Sequence, residues 1–174
     1  TLHSNLSEDG KAGFNFLGYH IRQFPVGKYK SAKNPGNGEK LGFKTILTPS
    51  PKSMKTHQEQ IGSIIKKHRS STQACLINEL NPVIRGWANY FKFSDSNTIG
   101  NFGKQDYLTW EKLRGWAIYR CKKFKKDKYW TNIGNNNWVF ATRQGEANPL
   151  RLLAHSDFSS SSSEYVKVKG DKSP

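Results

Sequence analysis

The side chains that most often perform chemistry are scattered along this sequence. The five histidines are His3, His20, His57, His68 and His155. No two of them have metal-ligand spacing with acidic partners, and the acidic residues form no pair suited to metal-assisted phosphoryl chemistry. The segment "NPGNGEK" lacks the strand-to-helix context, and the Ser or Thr after Lys, that a phosphate-binding loop needs. The residues themselves therefore predict no catalytic site in this chain.

The two cysteines, Cys75 and Cys121, lie far apart, each within a helix-like pattern. They provide neither a disulfide framework nor the spacing of a zinc site. We interpret them as small, buried or half-buried residues of a protein kept in a reducing compartment.

The segment "KLRGWAIYRCKKFKKDKYW", residues 112–130, interleaves cations with aromatic rings. Lys and Arg can contact phosphates and release counterions, and flat aromatic rings can stack on unpaired bases. The helical spacing of Trp110, Leu113 and Trp116 favours a core role for the aromatic residues. The cations favour binding, since seven of them face a single acid, Glu111, between residues 111 and 126. A solvated helix face normally carries both signs of charge.

The segment "NPVIRGWANYF", residues 81–91, combines a helical apolar face with Arg85 and Gly86. Glycine inside a helix costs about 1 kcal/mol relative to alanine, which suggests close helix packing or close approach of a ligand backbone. Arg85 can bind phosphate through two nitrogens or can pair with an acid such as Glu79. Both alternatives stay open. The apolar residues expected in the core are Val83, Ile84, Trp87 and Phe91.

The chain of 174 residues has 28 Lys and Arg against 13 Asp and Glu, a net charge of +15. This excess predicts a polyanionic partner. Nucleic acid is favoured over a membrane surface, because no run approaches the roughly 20 apolar residues that span a bilayer. Hydrophobic residues make up 34%, and aromatic residues 13%, which predicts a thin, aromatic core. No signal peptide is visible at the N-terminus. The start at Thr1, with no initiator methionine, suggests a fragment of a longer protein.

A β-hairpin is expected to precede the helices. Residues 13–24 suit a strand with a break near Gly18, and residues 43–50 suit a second strand that ends at the prolines. The segment 30–40 between them has strong turn signals. A first helix then starts at the candidate N-cap Ser53.

Two further helices follow in the predicted order. Thr72 caps the second, and Asn81-Pro82 restarts it, with Asn as cap and Pro in the first turn. The third covers residues 103–126. From Lys128 onward the sequence is no longer helix-like and becomes rich in Asn and aromatic residues. There, residues 138–140 suit a strand, residues 148–158 suit a helical turn, and a flexible Ser tract follows.

Three segments together resemble the C-terminal part of a group II intron reverse transcriptase/maturase. They are "FNFLGYHIR" at 14–22, "TILTPSPKSMKTHQEQI" at 45–61 and "LNPVIRGWANYF" at 80–91. In that family a Phe-Leu-Gly segment closes the palm of the polymerase. The maturase-specific domain X, the polymerase thumb, follows with an Asn-Pro-x-Ile-Arg-Gly-Trp-Ala-Asn-Tyr signature, which residues 81–90 match.

The resemblance implies a domain plan and a fold class. The plan is: end of the palm and first hairpin strand, 1–24; hairpin loop, second strand and thumb helices, 25–127; DNA-binding region, 128–157; Ser-rich linker toward an endonuclease domain that some relatives carry, 158–174. The fold class is mainly α with a small β element: a β-hairpin, a three-helix thumb bundle and a small irregular α+β C-terminal region.

The resemblance also implies a function. Such proteins bind their own intron RNA, promote its splicing, and reverse transcribe it into target DNA during retrohoming. The parent protein would be an RNA-directed DNA polymerase. This chain would lack the polymerase active site and any complete endonuclease site, so its own status as an enzyme stays open. The expected partners are intron RNA, target DNA and the upstream fingers and palm, with no membrane, in the cytoplasm or an organelle interior. No cofactor is expected in this chain, and Mg²⁺ is expected in the RNA and the palm.

The residues predicted to bind nucleic acid are all basic. The first group is Arg69, Arg85, Arg114, Arg120, Lys122, Lys123, Lys125 and Lys126, and the second is Lys52, Lys55, Lys66, Lys67 and Lys112. An alternative function is an autonomous basic RNA-binding structural protein of ribosomal type, which would share the charge but not the ordered motifs. A nuclease is disfavoured by the scattered acids and histidines.

Overall fold

The computed structural model of the protein describes residues 13–25, 32–33, 37–41, 43–94, 98–133, 137–142 and 149–159. The predicted start of the chain at 1–12, much of the turn-rich loop and nearly all of the Ser-rich linker lie outside the described residues. Within them, the order of elements is a small sheet, three long helices, and a short C-terminal region with a second hairpin.

The sheet confirms the predicted hairpin. Strands β1 (Phe14–Phe16), β2 (Tyr19–Pro25) and β5 (Phe43–Pro49) are antiparallel in the order β1-β2-β5. The expected break falls at Gly18, which has φ +80° and lets the chain reverse between β1 and β2. The intervening loop holds two short paired strands that the sequence did not indicate, β3 (Ala32–Lys33) and β4 (Lys40–Leu41).

Helix α1 (Pro51–Lys67) starts earlier than predicted. Its N-cap is Ser50, whose hydroxyl accepts a hydrogen bond from the Ser53 N–H at 3.1 Å, so the assignment of Ser53 as the cap was wrong. Pro51 explains the shift, because proline has no N–H to satisfy and its fixed φ suits the first helical position. The buried face contains Ile61 and Ile65, as the spacing predicts, and also His57 and Gln58.

Helix α2 (Gln73–Phe91) is continuous through Pro82. The Thr72 cap is confirmed, since its hydroxyl accepts from the Cys75 N–H at 3.3 Å. The predicted restart at Asn81-Pro82 was wrong, because the Asn81 side chain bonds a distant segment of the chain instead of capping a helix. Proline removes one helical hydrogen bond, and buried residues on both sides of it keep the helix packed against the core.

Helix α3 (Thr98–Cys121) starts and ends earlier than the predicted 103–126. Lys122 takes φ +59°, a left-handed conformation that stops the helix, so the four following lysines do not extend it. The short helix α4 (Lys126–Tyr129) comes next. Strands β6 (Trp130–Asn132) and β7 (Trp138–Phe140) then form an antiparallel pair, and a 3₁₀ turn covers His155–Phe158. The expected strand at 138–140 and the C-terminal helical turn are confirmed.

A thin core joins the helices to the C-terminal region. Its main cluster includes Ile61, Leu76, Ile77, Leu80, Ile84, Leu113, Trp116, Tyr129, Trp130, Phe140 and Leu152. A smaller cluster contains Ala88, Phe91 and Phe102, with Trp87 packed against it. The fold is therefore mainly α with a small β element, as predicted, and its main core continues across the predicted domain boundary at residue 127.

Candidate nucleic-acid interface

The ends of α1 and α3 lie side by side and carry a concentration of positive charge. The Arg120 guanidinium, on α3, donates hydrogen bonds to the backbone carbonyls of Arg69 and Ser71 at 2.9 and 2.8 Å, just beyond the end of α1. The Arg69 guanidinium in turn lies 4.8 Å from the centroid of the Tyr119 ring. We define the basic surface as Lys66, Lys67, Arg69, Arg114, Arg120, Lys122, Lys123, Lys125 and Lys126.

Aromatic rings support several cations of the basic surface. Arg114 lies 5.9 Å from the Trp110 ring and 5.6 Å from the Phe124 ring. Arg120 lies 4.8 Å from the Trp116 ring, and Lys126 lies 4.2 Å from the Trp138 ring. Such contacts restrict the side chains and leave their charges available to an anion. The core role predicted for Trp116 is confirmed, since it is buried, while the cations around it are exposed or half-exposed and their binding role stays a prediction.

The electrostatic effect of this region is visible at Cys121, next to the lysine run. Its thiol lies 3.5 Å from the Tyr129 hydroxyl. The hydrogen bond with Tyr129 lowers the pKa of Cys121, and the charges of Lys128 and Lys125 lower it further, which outweighs the opposite effect of burial. A thiolate, like a phosphate, is thus favoured by the surrounding cations.

The other predicted cations lie apart from the basic surface. Lys52 and Lys55 are exposed on the first turns of α1, so Lys55 lies about 18 Å along the helix from Lys67. Lys55 pairs with Glu59 at 3.8 Å. Lys112 is half-buried and donates to the side-chain oxygen Oε1 of Gln58 at 3.0 Å, which gives it a partner inside the bundle.

Arg85 is exposed on α2, and Glu79 is engaged elsewhere. The Glu79 carboxylate lies 3.4 Å from Lys67 Nζ and 2.9 Å from His68 Nε2, and the hydrogen bond with His68 is the main cause of its lowered pKa. A Cβ added at the neighbouring Gly86 would meet no heavy atom within 4 Å in the described part of the chain. Internal helix packing therefore does not explain this glycine, and that half of the expectation was wrong.

A buried polar network that sequence reasoning missed fastens the C-terminal segment, residues 149–159, to the helices. His155 is fully buried, and its Nδ1 and backbone N–H lie 2.7 and 2.6 Å from an Asp106 carboxylate oxygen. His155 Nε2 lies 2.7 Å from His57 Nε2. The Asn81 side chain adds a second attachment, because it donates to the Arg151 carbonyl and accepts from the Leu153 N–H.

Two ionisable groups of this network have shifted pKa values. Burial, and then the charge of His155, lowers the pKa of His57 to about 3. Burial raises the pKa of Asp106, but the hydrogen bonds from His155 and Ser156 outweigh it, and the net shift is downward. Because the histidines are buried, the network holds the C-terminal segment against the helices. No local sequence signal could have found it, since His57 and His155 are 98 positions apart.

The described residues include no group of three or more His, Cys, Asp or Glu side chains that could hold a metal ion. None of the helices among them has the length and apolarity needed to cross a bilayer.

These features define a class of protein: a small helical module with a cation-rich surface supported by aromatic rings, suited to a polyanion. Residues 54–133 match the sequence profile of the group II intron, maturase-specific domain. Over that stretch the chain is similar to the maturase-specific domain of group II intron proteins, which confirms that part of the resemblance found in the motifs. A search of curated proteins found no match. The matched stretch contains the whole basic surface and every other predicted binding residue except Lys52.

Proposed function

We propose that this chain binds group II intron RNA through the basic surface and thereby promotes folding and splicing of the intron. The single observation that carries the proposal is that all nine residues of the basic surface lie inside the maturase-specific match at 54–133. As part of a longer reverse transcriptase, the chain would also support reverse transcription of the intron and its insertion into DNA. The upstream fingers and palm would then be its partners in the same protein, within the cytoplasm or an organelle.

The charge distribution supports an anionic partner. Lys122, Lys123 and Lys125 are exposed, and they follow one another closely in a turn that the left-handed Lys122 creates. Like charges at such short separations repel one another, and a phosphate backbone relieves this repulsion while it releases counterions. The Mg²⁺ ions of the splicing reaction would be held by the RNA.

A ribosomal-type RNA-binding protein, the alternative, would share the charge and the aromatic support. It would not account for the maturase-specific match. The proposed DNA-binding role of the region after residue 127 rests on the family resemblance alone.

The salt dependence of RNA binding tests the proposal. Replacing Lys122, Lys123, Lys125 and Lys126 together by Gln should lower the affinity for an intron RNA. If each lysine contacts one phosphate, the slope of log affinity against log salt should fall by about 3, since each contact contributes about 0.7 to 0.9. Filter binding at a series of salt concentrations would measure both quantities.

A matched control removes the same charge elsewhere. Four cations outside the predicted binding residues, Arg22, Lys40, Lys92 and Lys104, can be replaced by Gln in one variant, which has the same net charge as the first. Circular dichroism would establish that both variants are folded. Equal slopes for the two variants would mean that net charge, and not the basic surface, determines binding, and an unchanged slope in the first would contradict the assignment outright.

A further inference from the structure

A cavity of about 390 Å³ lies between α3, the β6–β7 hairpin and the C-terminal segment. Its wall includes Tyr107 and Trp110 from α3, Asn137 and Trp138 from the hairpin, and Arg151 and Ser156 from the C-terminal segment. This volume falls in the range of about 300–1,000 Å³ that small-ligand sites occupy. It can hold one flat ring system with its sugar, and it is too small for a helix of a partner protein.

The cavity wall includes one unusually exposed aromatic ring and one exposed aliphatic side chain. Tyr107 is 58% exposed although it is a large ring, and it stacks at 25° on Trp110 with centroids 6.3 Å apart. Ile133, at the turn of the hairpin, is 51% exposed. An exposed ring beside a cavity, here Tyr107, offers a stacking platform for a base, because every base has a π-face.

Charge around the cavity favours a nucleotide over an apolar peptide. Arg114 and Lys126, both of the basic surface, lie over the rings of Trp110 and Trp138. The carboxylates in the wall are occupied by protein groups. Asp106 accepts from His155 and Ser156, and Asp157 lies 3.6 Å from Arg151 and accepts from the Ala154 N–H. Cations thus flank the cavity next to the basic surface, as a bound phosphate backbone requires.

We infer that this cavity receives one unpaired base of the bound RNA, stacked against Tyr107 and Trp138. The inference rests on the proposed function and names the feature of the RNA that the module would recognise. We expect the base to come from RNA and not from DNA, because folded RNA presents unstacked bases in bulges and loops. A DNA duplex would first have to unstack and unpair a base, which costs free energy. The Asn137 amide and the Arg151 guanidinium can bond the polar edge of the base.

Two RNA probes separate base binding from phosphate binding. One is a fluorescein-labelled stem with a single-nucleotide bulge, and the other is the same stem fully paired. We expect Tyr107→Ala and Trp138→Ala in the full chain to weaken binding of the bulged stem by about 5- to 150-fold, the range for loss of one stacked base. In Tyr107→Ala, binding of the paired stem should stay unchanged in fluorescence anisotropy. Trp138→Ala also removes the ring under Lys126, so it should weaken binding of the paired stem as well, but less than that of the bulged stem. Tyr107 contributes little to the core, so its variant keeps the test valid if Trp138→Ala fails to fold.

Tyr119→Ala is the matched control. Tyr119 is 61% exposed on the same helix, close to the exposure of Tyr107, but it lies under Arg69 on the basic surface. It should affect both stems alike. A crosslink from 5-iodouridine placed in the bulge should map to the peptides that contain Tyr107 or Trp138.

The outcomes are distinguishable. Equal losses for both stems in Tyr107→Ala, or no loss for either, would overturn the base-binding cavity. A loss seen with the matching single-stranded DNA but not with the bulged RNA would overturn the choice of RNA. If the wild-type chain binds neither stem nor intron RNA, the proposed function itself fails, whereas intact wild-type binding without a bulge-specific loss refutes the cavity alone.

Discussion

Acidification from pH 7.5 to 5.0 should destabilise the protein by about 2 kcal/mol through His57 alone. The His57 side chain stacks on Trp87 at 4.7 Å, the residue is 3% exposed, and its pKa falls from 6.5 to about 3. Below pH 6.5, His57 is protonated in the unfolded chain, whereas in the folded chain it stays neutral until about pH 3. Stability is therefore fully present above pH 6.5 and is lost as the pH falls through this interval. Each pH unit below 6.5 lowers the free energy of unfolding by about 1.4 kcal/mol, and the interval from pH 6.5 to 5.0 covers about 1.5 units.

The variant His57→Gln isolates this contribution. The glutamine amide can still donate toward His155 but does not titrate. The variant should be less stable at pH 7.5, but its free energy of unfolding should fall by about 2 kcal/mol less than that of the wild type between the two pH values. Urea denaturation followed by far-UV circular dichroism measures both differences. Asp106 does not interfere, because its lowered pKa confines its contribution to lower pH. Equal falls in both proteins would show that buried His57 is not held neutral.

Three further substitutions test the packing. Asn81→Ala should lower the free energy of unfolding by about 2 kcal/mol, because two backbone groups of the C-terminal segment lose their partner; urea denaturation would measure this, and faster proteolysis of that segment would accompany it. Trp87→Ala should cost about 3 kcal/mol, since the ring packs on Phe91 and Phe102; a stable variant defective only in RNA binding would refute this core role. Gly86→Ala should raise the free energy of unfolding by up to about 1 kcal/mol, and the midpoint of thermal unfolding should rise with it. The matched Gly115→Ala should behave in the same way, since neither new methyl group meets a neighbour. A destabilised Gly86→Ala alone would show that something packs there after all.

Local signals predicted the elements whose partners are near in sequence. Thr72 caps α2 because its hydroxyl reaches the N–H three residues later, and the apolar spacing of Ile61 and Ile65 gives the buried face of α1. The choice between Ser50 and Ser53 as the cap of α1 was harder. Both serines precede a helical pattern. Ser50 is the cap because Pro51, which follows it, suits the first position of a helix.

Distant partners decided what the sequence could not predict. A proline after asparagine is typical of a helix start, yet Asn81 has partners in residues 151 and 153, and α2 continues. The network of His57, His155 and Asp106 likewise exists only once three separate elements have packed. The basic residues could be identified from the sequence by residue type. The hydrogen bonds of Lys112 to Gln58 and of Arg120 to the end of α1 join distant parts of the chain and could be seen only in the structure. Whether each of these cations contacts RNA stays a prediction.

The core that continues past residue 127 limits how far this maturase domain can be treated as an interchangeable part. The profile match ends at residue 133, but Phe140 and Leu152 complete the interior around Trp116 and Trp130. A segment transplanted into another protein with those boundaries would carry an unfinished hydrophobic face. Changes in the C-terminal region must therefore remain compatible with the helices, so the two parts of the chain are expected to evolve, and to be engineered, together.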